Sequence, residues 1–366
     1  MQITAAIATA PQQPFEIRGV TLEAPRPGEV LVRIAGAGVC HTDIVFRDQF
    51  LPYPLPAVFG HEGSGIVEAV GSDINDLKTG DKVVLSFSSC GHCPSCEHDI
   101  PAYCKDFGPL NFAGMRPDGT TPLSDKGARI AGAFFGQSSF ASHALAERRN
   151  VVKVDTSTPV ELLGPLGCGI QTGAGTVMRS LACKAGSSII VFGGGSVGLA
   201  AVMGAVVQGC KTIILFEPMA SRRELALELG ATHVFDPRAC DVAETVRGIV
   251  PSGVDYAVDA SGIVGVMQQA IACLGPMGTL GLVGVPPSAT SELPINIAQV
   301  ITSGLTIKGI IEGDSDPATF IPELIKLHDE GKFPFDRLIK TYPLADINKA
   351  IEAQHHGECI KVVLVP

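Results

Sequence analysis

The chain predicts an α/β fold in two domains, an irregular β-rich barrel and a doubly wound parallel sheet. Three observations predict it. Its 366 residues exceed what one ordinary core organises. The first third breaks short apolar runs with frequent proline and glycine, as small barrels do. Beyond Lys184, apolar runs alternate with helix-like stretches, the order of parallel strands joined by crossover helices.

The elements follow in order. Residues 29–35 read as a strand, 58–70 as a glycine-broken strand pair, and 82–87 as a strand after a Gly80-Asp81 turn. In the second part, 187–192 is a short buried strand, followed by a glycine-rich turn and a helix through 207. A strand at 212–216 precedes a helix over 221–229, with Ser221 as its N-cap. Further strands are expected at 254–259, 279–285 and 305–311, and mixed helix and strand return from Pro317. The barrel domain is therefore assigned to 1–165 with 317–366, and the sheet domain to 166–316. No internal repeat or low-complexity segment interrupts them.

Composition narrows the function. Hydrophobic residues make up 46% and charged residues 17%, enough for large cores and against disorder. A net charge of −10 without any basic run argues against nucleic acid and anionic membranes. Residues 1–15 lack a basic segment followed by an apolar one, so no secretory leader is expected. Residues 185–210 are uncharged and mostly apolar, but their glycines and phosphate-binding pattern fit a buried strand–turn–helix better than a membrane span. Eleven cysteines in a long chain without a leader point to metal rather than disulfides, and to the cytoplasm.

Gly193, Gly195 and Gly198 form G-x-G-x-x-G between an apolar run and a helix, the dinucleotide-binding context of a Rossmann domain. The first glycine serves the tight turn, the second admits pyrophosphate, and the third permits helix–strand packing. Ser196, Val197 and Gly198 open the helix, where free N–H groups and the dipole attract phosphate. Glu217 ends the next strand, where an acid accepts from the ribose hydroxyls and repels a 2′-phosphate. NAD is therefore expected over NADP, with Arg222 and Arg223 opposing that preference.

Cys90, Cys93, Cys96 and Cys104 form C-x2-C-x2-C-x7-C. Four neighbouring thiolates repel without a cation among them, and a closed S4 set fits structural zinc; an iron–sulfur cluster is the competing metal. Cys40, His61 and Cys168 are far apart, and spacing does not join them. Each has a suggestive setting: Cys40-His41-Thr42-Asp43, Gly60-His61-Glu62-Gly63 and Gly167-Cys168-Gly169.

These motifs, with Gly65 and the Gly80-Asp81 turn, resemble the zinc-dependent medium-chain alcohol dehydrogenases nearly end to end. Within that family the chain is most similar to bacterial aryl-alcohol (benzyl-alcohol) dehydrogenases, through Cys40–Asp43, Phe134-Phe135, Gln137–Phe140 and 163–175. The resemblance implies a GroES-like barrel carrying the 90–104 zinc lobe and a Rossmann domain. It implies two zinc ions per subunit, with Cys40, His61 and Cys168 around a catalytic one that keeps an open position. Thr42 would bond the substrate oxygen and Asp43 would orient His61. Glu62 would stand beside the metal. His41 and Lys361 would approach the pyrophosphate, and Thr172 the nicotinamide. Phe87, Phe134, Phe135 and Ile170 are candidate walls of an apolar pocket, with ordinary core as the alternative.

The expected reaction is oxidation of a primary aromatic or allylic alcohol to the aldehyde, with hydride passing to NAD. S-hydroxymethylglutathione or a terpene alcohol is the alternative substrate, and a non-catalytic nucleotide-binding protein is the remote one. The resemblance also implies a tetramer. One departure stands out: animal and yeast members place a histidine at the outer end of a proton relay where this chain has Val45.

Overall fold

The computed structural model describes residues 1–288 and 290–366. Contacts divide the chain into two compact units: Met1–Cys168 with Asp316–Asp329 and Asp336–Pro366, and Gly169–Ser315 with Glu330–Phe335.

The first unit wraps two curled sheets around an apolar core. One has the order Ala57–Val58, Gln2–Ala8, Glu16–Leu22, Leu123–Asp125, Ala128–Ile130. The other runs Val151–Lys153, Lys82–Leu85, Glu62–Val70, Glu29–Gly38, Lys361–Val365, Ile339–Pro343, and His143–Glu147 also pairs with Glu29–Gly38. The central strand Glu29–Gly38 is apolar at most positions and shifts register twice against Glu62–Val70. Such irregularities curve a strand, as a closing barrel requires. Phe15, Phe59, Phe134 and Phe140 fill the space between the sheets.

The second unit is built on six parallel strands in the order His233–Phe235, Thr212–Phe216, Ser188–Phe192, Val254–Asp259, Leu274–Leu282, Thr306–Gly309. Numbered along the chain from Ser188–Phe192, this is 3-2-1-4-5-6, the dinucleotide-binding order. Ser188–Phe192 is buried throughout, which explains its unbroken apolar run. The helix Ser196–Val207 is apolar around its middle, Gly198–Ala205, which is buried on every side. Among the described residues, no helix is long and apolar enough to cross a membrane.

Three local expectations need correction. The helix expected to start at Ser221 runs Ala220–Glu228, and its N-cap is Met219. Met219 donates its N–H to Glu217 Oε1 at 2.8 Å, and that bond sets where the chain turns into the helix. The strand expected at 279–285 runs Leu274–Leu282, entering through a bulge opposite Val254 and Tyr256 that Gly275, Pro276 and Gly278 hide from the pattern. The strand expected at 305–311 is only Thr306–Gly309. Beyond it the backbone turns left-handed at Glu312, Gly313 and Asp314 and leaves the ladder.

Candidate active site

Cys40 ends the strand-side turn after Glu29–Gly38 and caps the helix His41–Arg47. Asp43, in the first turn of that helix, is fully buried. Its Oδ2 accepts the Cys40 N–H at 2.9 Å. Its Oδ1 accepts the Gly60 N–H at 3.0 Å and lies 2.9 Å from His61 Nδ1. One carboxylate thus caps a helix, anchors the loop before His61 and orients the imidazole; hydrogen bonds to a charged group contribute about 1.5–3 kcal/mol each.

The bond to Asp43 places the proton on Nδ1 and leaves Nε2 as the free donor. That Nε2 is buried and has no hydrogen-bond partner among the described residues. The donor atoms of Cys40, His61, Glu62 and Cys168 all lie within 4.8 Å of one another. Two sulfurs on one tetrahedral zinc stand about 3.8 Å apart, given Zn–S of about 2.3 Å. Two thiols, an orphaned imidazole nitrogen and burial therefore fit zinc. The Cys40 thiol is held well below its ordinary value, first by a hydrogen bond from Cys168, against the cost of burial, and then by His61 and Lys361. Burial opposes charge on His61, but Asp43 and Cys40 outweigh it and raise its pKa.

Glu62 is also fully buried, with its carboxyl pushed up to about 7 by burial and opposed by Lys361. Lys361, expected at the pyrophosphate, is instead 1% exposed. Its Nζ donates to Glu62 Oε1 at 2.7 Å and to Val39 O at 3.0 Å. Thr42 is half-buried, with Oγ1 3.6 Å from Cys40 Sγ. His41 is exposed and Val45 is buried. Phe135 stacks on His61 with ring centroids 4.4 Å apart, and Phe134 meets the same imidazole edge-on at 5.5 Å. Phe134 is fully buried among Phe46, Tyr53 and Phe59 and is as much core as wall. Phe87 joins this aromatic group through Phe107; Ile170 belongs to the second unit.

The four-cysteine lobe is assembled as well. The sulfurs of Cys90, Cys93, Cys96 and Cys104 lie within 4.8 Å of one another, with Cys93 and Cys96 at 3.6 Å. Backbone N–H groups of Cys90 and Asp106 point at Cys104 Sγ. Backbone hydrogen bonds at Lys105 and Cys96 pull the Cys93 thiol down to about 6, while burial pushes Cys104 up to about 12. The donor set is all sulfur and closed, as in a structural zinc site.

In the second unit, Gly193 turns at φ 97°, a left-handed conformation that glycine adopts freely. A Cβ on Gly198 would lie 1.8 Å from Gly193 O, so only glycine lets the helix start against the turn. A Cβ on Gly195 would meet nothing within 4 Å, which leaves the phosphate approach open. Among the described residues no side chain caps the helix at Gly195, so its first-turn N–H groups at Ser196, Val197 and Gly198 have no side-chain cap. Glu217 is only 4% exposed. Its Oε2 accepts the Gly194 N–H at 2.6 Å. Arg223 donates to the carbonyls of Glu217 and Pro218, and Arg222 has a buried Nε without a hydrogen-bond partner among the described residues. Thr172 lies in the buried helix Gly169–Gly175.

Two buried residues escaped the sequence reading. Gln137 accepts the Gly63 N–H at 3.0 Å and donates to His61 O at 2.9 Å, gripping the chain on both sides of Glu62. Glu312 accepts from Gln171 Nε2 at 2.9 Å. Gln137 belongs to the Gln137–Phe140 stretch that carries the resemblance, but no role was read for it; Glu312 offered no signal beyond its place after a strand.

A dinucleotide-type sheet with an open glycine turn, on one chain with a buried S,S,N donor set, defines a metal-dependent dehydrogenase class. The comparisons agree. Residues 26–156 match the alcohol dehydrogenase GroES-like domain, and 196–329 match the zinc-binding dehydrogenase domain. The chain is 49% identical to a geraniol dehydrogenase of Castellaniella defragrans over 354 residues, 96% of this chain and 94% of that one. It is similar to the solved structure of an alcohol dehydrogenase zinc-binding domain protein from Burkholderia ambifaria, with TM-score 0.98, 50% identity and 100% and 99% coverage. Benzyl alcohol dehydrogenase from Acinetobacter calcoaceticus superposes with TM-score 0.96 at 41% identity, over 100% and 99% of the two chains. The chain belongs to the zinc-dependent medium-chain alcohol dehydrogenase family.

Proposed function

We propose that this protein oxidises a primary aromatic or allylic alcohol to the aldehyde and transfers the hydride to NAD. The observation that carries the reading is the Cys40–His61–Cys168 donor set, with His61 Nε2 orphaned beside two thiols and Phe135 stacked on the imidazole. Geraniol and benzyl alcohol, named for two similar proteins, both carry a primary hydroxyl one carbon from an unsaturated carbon.

Cys40, His61 and Cys168 would hold the catalytic zinc, and the four-cysteine lobe a structural one. When bound, zinc supplies Lewis acidity that makes an alcohol proton easy to lose, much as it lowers the pKa of water from 15.7 to about 7. NAD supplies the hydride acceptor. Asp43 holds the ring proton of His61 on Nδ1 and fixes the ring's direction, so that Nε2 is the atom turned to the metal. Thr42 Oγ1, beside Cys40 Sγ, accepts the departing proton and hands it outward. Val45 is apolar and cannot continue that path, so the proton leaves by water or another base. The phenylalanines exclude water and offer aromatic faces to an unsaturated substrate. Glu217 disfavours a 2′-phosphate and selects NAD.

A panel of alcohols with NAD and NADP tests the reading. Benzyl or geranyl alcohol with NAD is expected to exceed ethanol and S-hydroxymethylglutathione, and Cys40→Ser to abolish turnover. Undiminished turnover in Cys40→Ser would remove the zinc mechanism; preference for S-hydroxymethylglutathione would replace the substrate class. Glu217→Ala is expected to weaken NAD and relax the rejection of NADP, and an unchanged NAD/NADP ratio would sink the role given to Glu217. A tetramer, the expected assembly, is checked by light scattering.

A further inference from the structure

We propose that Glu312 is a positioning residue for the nicotinamide end of the cofactor, acting through Thr172 and Gln171. The inference rests on the dinucleotide reading above and adds a residue to it. Glu312 is a buried acid that no step of the reaction uses. Its Oε2 accepts from Gln171 Nε2 at 2.9 Å and from Thr172 Oγ1 at 3.4 Å. One carboxylate oxygen therefore holds two successive side chains of the helix Gly169–Gly175, which begins one residue after the zinc donor Cys168.

The backbone around Glu312 is arranged to keep that oxygen in place. Glu312, Gly313 and Asp314 are consecutive residues at φ 51°, 67° and 51°. Two acids in the left-handed region are strained unless neighbours over-determine them, and such strain gathers at functional sites. The neighbours are present. Ser315 Oγ donates to Glu312 O at 2.7 Å. Ser180 Oγ donates to Asp314 Oδ2 at 2.7 Å, and Lys308 Nζ lies 2.6 Å from the same oxygen. Gly313 lies backbone to backbone against the helix: a Cβ there would come within 2.6 Å of Gln171 O and 2.7 Å of Gly175 Cα. The loop leaves the last strand of the parallel sheet, Thr306–Gly309, at its carboxyl end. Ligands of this sheet type bind outside the carboxyl ends of the strands.

The arrangement makes Glu312 a fixed acceptor that sets the direction of the Thr172 hydroxyl. Its effect should be confined to the nicotinamide, since the phosphate turn at Gly193–Gly198 and the acid at Glu217 lie on other strands. NADH and ADP-ribose separate the two ends, because ADP-ribose lacks the nicotinamide. Binding of both to the zinc-loaded protein is measured by titration calorimetry for wild type, Glu312→Ala and Glu312→Gln. Glu312→Ala is expected to weaken NADH about tenfold, a change of about 1.4 kcal/mol, and to leave ADP-ribose within about twofold. Glu312→Gln keeps an acceptor oxygen at nearly the same place and should recover most of the NADH affinity.

Equal weakening of both ligands in the two variants would show a merely structural acid and overturn the inference. So would NADH affinity unchanged in Glu312→Ala. Should Glu312→Ala fail to fold, Glu312→Gln decides: a folded Gln variant that binds ADP-ribose normally but has lost NADH affinity as completely as removal of the acceptor predicts contradicts the acceptor role. Wild-type protein that binds neither ligand would overturn the dinucleotide reading itself, and this inference with it.

Discussion

Asp43 carries more of the site than any donor it supports. Its two oxygens meet Cys40 N–H, Gly60 N–H and His61 Nδ1, so one side chain fixes two of the three proposed zinc donors. Asp43→Asn leaves one oxygen and turns the other acceptor into a donor, which clashes with at least one of the N–H groups it faced. Zinc affinity at the catalytic site is expected to fall about 10–100-fold, as for other groups that orient a metal-bound histidine. Competition with a chromogenic chelator measures it, and an unchanged affinity would show that Asp43 only caps the helix. The thiols outside the two donor sets differ in a testable way. Hydrogen bonding from Cys183 brings the half-exposed Cys210 down to about 7, although burial opposes it, while burial pushes Cys273 up to about 12. The thiolate is the nucleophile, so alkylation of Cys210 should rise with pH through about 7 and level off above it, while Cys273 stays unlabelled. Peptide mapping after iodoacetamide treatment checks this; equal labelling of the two would refute it. Of the five cysteines outside the two donor sets, Cys183 and Cys273 are buried, and Cys210, Cys240 and Cys359 are half-exposed. Residue type gives the chemistry of a thiol, whereas its exposure depends on packing that spacing does not encode.

At the scale of elements, the legible parts were those whose pattern is local. The glycine turn, the strand before it and the helix after it are adjacent in the chain, and the strand at Thr212–Phe216 stands where its apolar run predicted. The four cysteines fall within one lobe, so their spacing alone assembles them. The three proposed catalytic donors were not joined by spacing, because bonds between distant segments hold them: Asp43 links the Cys40 turn to Gly60 and His61, Gln137 grips His61 O, and Ser86 Oγ donates to Gly167 O beside Cys168. The resemblance pointed Lys361 at the pyrophosphate, whereas its charge meets Glu62 from the far end of the chain. The lobe and the catalytic set should separate in experiment. Cys96→Ser removes one of four sulfurs from a closed site and leaves the barrel donors untouched. Zinc content is expected to drop from two to one per chain and the melting temperature to fall, while turnover per folded, catalytically loaded chain stays near wild type. Active-site titration with melting curves distinguishes the two effects, and a selective loss of turnover with unchanged melting would reverse this division of roles.

Over the whole molecule, the order of segments matters as much as their content. All three proposed catalytic donors precede Gly169, yet the unit that holds them is completed only by the last residues of the chain. Lys361–Val365 lies in the sheet between Glu29–Gly38 and Ile339–Pro343, and it delivers Lys361 to the buried Glu62 beside the donors. The return of mixed structure after Pro317 was readable in the sequence; its insertion beside a strand more than three hundred residues earlier was not, because pairing between distant strands leaves no periodic signal. Removing 361–366 would strip a strand from the sheet and leave the Glu62 carboxylate buried without its cation, which by itself costs about 3–5 kcal/mol. The shortened chain is therefore expected to lose catalytic zinc and to melt far below the full chain, although it keeps every donor. Lys361→Met separates the two causes: it keeps the strand and a side chain of similar length while removing the charge. If the loss is mainly electrostatic, this variant should lose most of the same stability; if it is mainly the missing strand, it should stay close to wild type. Zinc content per chain and thermal unfolding read both variants. A shortened chain that kept two zinc ions and the full melting temperature would show that the barrel closes without its final strand.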